Sequence, residues 1–165
     1  MRSQVSPLQQ ISVPPAWVHF LRGHSSITRQ LNVELLAEHD LTLNDYEVLL
    51  HLARAPERAL RRVDLAERVL LTPSGITRLL DGLERAGYVE KRACELDGRV
   101  SYAVLTDAGY KKLAAASTTH LDGVARLFAA RFSSDELETL AALLGRLSDG
   151  NEEPGQCGVS LPSDS

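Results

Sequence analysis

Five residues in "LLTPSGITRLLDGLERAGYVEKR", residues 70–92, set the chemical question. At the 100° step of a helix, Ser74, Arg78, Asp81 and Arg85 share one face, with Thr77 at its flank. Ile76, Leu79, Leu80 and Leu83 form an apolar stripe on the other side. An ordinary solvated helix would carry Glu/Lys pairs on the outward face, and this one carries guanidiniums and small hydroxyls. Such groups suit base edges or phosphates, and Arg78 fits either a guanine or a phosphate. The alternative for Ser74 and Thr77 is a local bond within the helix. Gly75 keeps the helix start slim, where free amides attract phosphate.

Other groups in the same region are basic. Arg61 and Arg62 precede the next helix upstream and suit phosphate contacts or a solvated face equally. Lys91 and Arg92 downstream have the same two readings. Asp97 and Arg99 flank Gly98 in a tight turn. Residues 54–102 hold ten Lys/Arg against eight Asp/Glu, whereas the remainder holds eight against fourteen. A mildly basic module therefore sits on an acidic scaffold, within a formal net charge of -4. Contacts to phosphate depend on the local field, so net acidity does not exclude nucleic acid.

Enzyme chemistry finds little support. No Gly-rich phosphate loop, Ser/His/Asp order or paired-carboxylate constellation stands out. His19, His24, His39, His51 and His120 are scattered, without a His-x-x-x-His step, and Cys94 and Cys157 lie far apart. Neither a metal site nor a disulfide framework is expected, and no cofactor. No apolar run approaches a membrane span, and "MRSQVSPLQQISVPP" lacks a signal-peptide core, so a reduced, cytoplasmic setting without membrane contact is the expectation.

The elements that must position these groups are mostly helices. Residues 1–14 read as a polar, Pro-containing arm. From Pro15, the spacing of Trp17, Phe20, Leu21, His24, Ile27, Leu31 and Leu35 predicts a helix over 15–40. Another begins after Thr42, with Asp45 completing a cap and Pro56 following its end. "RRVDLAERV" is a short third helix that turns Leu65, Ala66 and Val69 inward. Thr72 and Pro73 then start the helix of the opening stretch, and Gly87 closes it as a left-handed cap. "YVEKRA" and "SYAVLT" read as two strands around Asp97-Gly98, a hairpin over 88–106. Thr106 caps a long helix over roughly 107–131. Ser133 and Glu136 form a capping box for a last helix closed by Gly150, and 151–165 read as a disordered tail.

The fold class is therefore all-α with a small β-hairpin wing. A winged helix-turn-helix over 41–106 is flanked by terminal helices at 15–40 and 107–150. Leu137, Leu140, Leu144 and Leu147 step by three, four and three, as a partner helix requires. Pairing of the first and last helices within one chain would bury such stripes. Dimerisation is the preferred reading, because a small module cannot cover both.

"DLAERVLLTPSGITRLLDGLERAGYVEKRACELDGRVSYAVLTDAG" resembles the MarR-type transcriptional regulators. It carries their order of L-A-x-R, S-x-x-T-R, L-E-x-x-G-Y-V-x-R, a D-x-R wing and an L-T-x-x-G exit, and the resemblance spans roughly 15–149. It implies a homodimeric DNA-binding regulator on a pseudo-palindromic operator, often released by a small ligand. It also implies that Arg99 probes the minor groove and that Asp97 orients it. Family effectors often sit between the dimer base and the DNA module, where Trp17, Phe20, His24, His39, Tyr46 and His51 are candidates beside the alternative of core packing. Relatives that sense metals or peroxide use closely spaced His/Cys ligands or a first-helix cysteine, and this chain has neither. A winged-helix module that binds protein without specific DNA binding is the competing reading.

Overall fold

The computed structural model describes residues 14–93 and 101–147. Its helices are α1 (Pro15–His39), α2 (Leu43–Arg54), α3 (Arg62–Arg68), α4 (Pro73–Arg85), α5 (Asp107–Leu127) and α6 (Ser134–Leu144). Three short strands, β1 (Ala59–Arg61), β2 (Val89–Ala93) and β3 (Ser101–Leu105), form one antiparallel sheet in the order β1-β3-β2.

Local chemistry explains the element starts. Thr42 and Asp45 form a reciprocal capping box on α2, as do Ser133 and Glu136 on α6. Thr72 and Thr106 accept the amides of Gly75 and Gly109, which starts α4 and α5. The α3–α4 turn passes through Leu70 at φ 52°, a left-handed conformation unusual for a leucine, and leaves that side chain 92% exposed. Gly87 has φ 77°, which fits its expected role after α4.

α2 runs through the centre. Its Val48, Leu49 and Leu52 are fully buried among Leu35 of α1, Leu65 of α3, Ile76 and Leu80 of α4, Ala103 and Leu105 of β3, and Leu113 and Ala116 of α5. This core fixes the third and fourth helices against the sheet. It leaves the first half of α1 and all of α6 without a fully buried side chain.

Three expectations shift. β1 was not anticipated, because three residues show no period; it forms only by pairing Ala59, Leu60 and Arg61 with Val104, Ala103 and Tyr102. α5 ends at Leu127 rather than near 131, and a 3-10 turn over Ala129–Arg131 follows. α6 ends at Leu144 with Gly145 as its cap, and Gly150 lies outside the described residues. The arm before residue 14 and the tail over 151–165 also lie outside them.

Candidate nucleic-acid interface

α4 is held by one face and open on the other. Ile76, Leu80 and Leu83 are 1–3% exposed and set the helix's rotation, while Leu79 is half-buried. That rotation leaves Ser74, Arg78 and Arg85 exposed. Arg78 makes no side-chain hydrogen bond or ion pair among the described residues, so its guanidinium is available. The first turn is less open. Thr72 takes the Gly75 amide through its hydroxyl (3.1 Å) and the Ile76 amide through its carbonyl (2.9 Å), and Pro73 has none. The Gly75 amide is thus already used, and among the described residues the Ser74 amide remains as the first-turn donor without an internal acceptor.

Thr77 is committed inside the protein. Its hydroxyl donates to the Pro73 carbonyl at 2.7 Å and accepts from the Arg62 guanidinium. The local bond weighed as the alternative for Thr77 is therefore present, and it brings Arg62 onto the flank of α4. Arg61 faces elsewhere, in a two-point pair with Asp64 at 2.8 and 2.9 Å. That pair raises the Arg61 pKa through its hydrogen bonds and charge. Val63, Ala66, Leu70, Leu71, Pro73 and Ile76 line most of a groove of about 670 Å³ where α3 meets the start of α4.

Asp81 is not a free acid on this face. The Lys91 ammonium donates to Asp81 at 2.6 Å and reaches Glu84 at 2.9 Å. The Lys91 bond holds the Asp81 carboxyl below its ordinary range, helped by the nearby charges of Arg62 and Arg85. The two carboxylates in turn raise Lys91. Arg85 also donates through Nε to the Asp81 carbonyl at 3.1 Å. This cluster was not read from the sequence as a unit; the i,i+3 acids and the lysine ten residues on were its only signal. Asp97 and Arg99 lie outside the described residues, between the last ladder pair, Ala93 and Ser101.

The residues considered for an effector divide into two groups. Trp17, Phe20 and His24 follow one another along α1, with ring centroids 6.3 and 6.4 Å apart, and all three are exposed. Tyr46 is 3% exposed and stacks on His120 with centroids 4.4 Å apart, so it belongs to the core. His39 is tied to Thr119 at 2.8 Å, and the Thr119 hydroxyl donates to Glu38. His51 is half-buried on α2. Burial raises the Glu47 carboxyl, and the charge of His24 opposes that rise. No group of three or more His, Cys, Asp or Glu side chains among the described residues is arranged to hold a metal. His120 was not among the sequence candidates. Its spacing of four and three residues from Ala116 and Gly123, and of seven from Leu113 and Leu127, was the available clue.

A helix that exposes Arg78 and Arg85 after a four-residue turn, backed by a strand pair, is a winged helix-turn-helix. The MarR family model matches residues 39–100. The uncharacterized HTH-type transcriptional regulator YkoM of Bacillus subtilis is 30% identical over 126 residues, which cover 76% of this chain and 79% of YkoM. The HTH-type transcriptional repressor YetL of the same organism is 30% identical over 107 residues, 65% of this chain and 64% of YetL. A mutant MarR from E. coli, solved with operator DNA, has a TM-score of 0.72 at 25% identity, covering 81% of this chain and 93% of that one. Fold, motif order and kinship agree, and the chain belongs to the MarR family of winged helix-turn-helix transcriptional regulators.

Proposed function

We propose that this DNA-binding regulator acts as a homodimeric repressor that sets two copies of α4 in successive major grooves of a pseudo-palindromic operator. The observation that carries the reading is Arg78, exposed and without a side-chain partner among the described residues, beside Ser74 on a helix whose other face is locked into the core. A guanidinium so placed can reach a guanine edge in the major groove. The similar MarR structure with operator DNA and the repressor YetL support the same role. They also disfavour a module that binds protein alone.

Two exposed apolar regions support the dimer. On α1, Trp17, Phe20 and Leu21 are 50%, 40% and 42% exposed. On and beside α6, Phe132, Leu143 and Leu147 are exposed, and Leu137, Leu140 and Leu144 only half-buried. α1 packs chiefly on α5, so pairing with α6 of the same chain does not cover these stripes. A second copy would remove them from water.

Sedimentation and footprinting test the proposal together. The full chain should sediment as a dimer at micromolar concentration, and deletion of residues 132–165 should make it monomeric. The footprint should show two half-sites with centres roughly 10 base pairs apart, as twofold-related recognition helices require. A monomer that protects a single asymmetric site overturns the proposal. At the wing, Arg99→Ala should lower the salt slope by about one and weaken A·T-flanked operators most, because a narrow minor groove concentrates negative potential. Equal losses on A·T and G·C flanks would show that Arg99 does not read groove width.

A further inference from the structure

Among the described residues β2 is an edge strand, paired with β3 alone. Its first residue, Val89, is 2% exposed and anchors the base of the wing, but Glu90, Lys91, Arg92 and Ala93 are all exposed. Beyond Val89, therefore, no apolar burial holds the outgoing strand to the recognition helix. Among the described residues, the side-chain bonds that join this outer part of β2 to α4 come from Lys91. It meets Asp81 at 2.6 Å and Glu84 at 2.9 Å. These carboxylates stand one helical turn apart, so a single ammonium bridges both.

We propose that Lys91 is a positioning residue for DNA binding, a clamp that sets the angle between the wing and α4 through Asp81 and Glu84. A regulator that reads a major groove with a helix and an adjacent groove with a wing must hold both at a fixed separation. Two carboxylates on a DNA-facing helix repel phosphate, and their place there is explained by the work they do on Lys91. The partly shielded geometry fits this role: the three side chains are 37–47% exposed, neither buried nor fully solvated. The Lys91 hydrogen bond lowers the Asp81 pKa, with smaller help from the charges of Arg62 and Arg85. The proposal rests on the DNA-binding reading above, but one arm of its test needs no DNA.

The competing role for Lys91 is direct contact with a phosphate, and the two differ in sign. Asp81→Asn combined with Glu84→Gln removes two negative charges. If Lys91 is a phosphate contact, this frees it and tightens operator binding. If Lys91 is a clamp, the pair weakens operator binding about tenfold, although non-operator DNA is bound more tightly. Lys91→Gln should lose about as much, and the triple variant no more than either, because all three break one unit. Lys91→Arg should restore most of the affinity.

The arm without DNA is hydrogen exchange of the β2 amides, which should speed up in Lys91→Gln and in the carboxylate pair while core amides stay unchanged. Tighter or unchanged operator binding in the carboxylate pair, or additive losses in the triple variant, overturns the clamp. Unchanged β2 exchange overturns it as well. If the wild-type chain binds no operator at all, the DNA reading falls, and the exchange arm still decides the clamp.

Discussion

Arg62, at the head of α3, donates a hydrogen bond to the hydroxyl of Thr77, on the second turn of α4. The same hydroxyl donates to the Pro73 carbonyl, so one small side chain joins two helices of the DNA-binding module. Thr77 therefore holds the Arg62 guanidinium beside the exposed face of α4.

This relation predicts coupling. Thr77→Val keeps the shape but removes the hydroxyl, and it should weaken operator binding along with Arg62→Ala. In a double-mutant cycle the two should couple by about 0.5–3 kcal/mol, as residues in one network do. Thr77→Ser should bind almost as the wild type. Additive losses, measured by fluorescence anisotropy, would mean that Thr77 and Arg62 serve DNA separately.

Arg78→Ala addresses specificity. Because Arg78 has no partner among the described residues, its loss should leave the thermal midpoint unchanged. It should cost about 1–3 kcal/mol of preference at one base position in each half-site. Selection of bound sequences from a random DNA pool checks this. A uniform drop in affinity across all sequences would assign Arg78 to a phosphate.

Gly109→Ala should cripple folding. A Cβ there would stand 2.1 Å from the Tyr88 carbonyl oxygen and 2.8 Å from Leu105 Cδ1. The first obstacle is backbone, at the point where Thr106 also returns an amide to Tyr88 at 3.1 Å. Relief requires α5 to move away from the root of β2, at a cost of about 1–3 kcal/mol or more. A chemical denaturation midpoint equal to wild type would contradict this packing.

His120 makes acid stability the fourth prediction. Burial lowers its pKa, and its Nδ1 is enclosed without a hydrogen-bond partner among the described residues. Above the unfolded-state value, about 6.5, both states hold a neutral imidazole and His120 adds no pH dependence. As pH falls below that value the unfolded chain takes the proton first, so stability is lost until the depressed folded pKa is reached. His120→Phe preserves a ring against Tyr46 and removes the unsatisfied nitrogen. It should gain about 1 kcal/mol and flatten the acid limb below about pH 6.5. Parallel pH profiles for the two proteins would rule this out.

Much of this molecule is local and therefore legible in the chain. Caps at Thr42, Thr72, Thr106 and Ser133 act over three residues, and the period of Ile76, Leu80 and Leu83 marks which side of α4 is buried. Those facts alone orient Arg78 outward, because a helix's face follows from its step. The exit motif likewise marks Gly109 as special, but its reason is the Tyr88 carbonyl across a tertiary contact. β1 exists only because β3 offers its open edge, and three residues carry no period to reveal it. The partners of Thr77, Asp81 and Tyr46 were undecidable in sequence for the same cause. Arg62, Lys91 and His120 stand 15, 10 and 74 positions away, and only packing of the shared core brings them within reach. Exposure and period decide what a side chain faces, whereas the closing of helices around α2 decides what it touches.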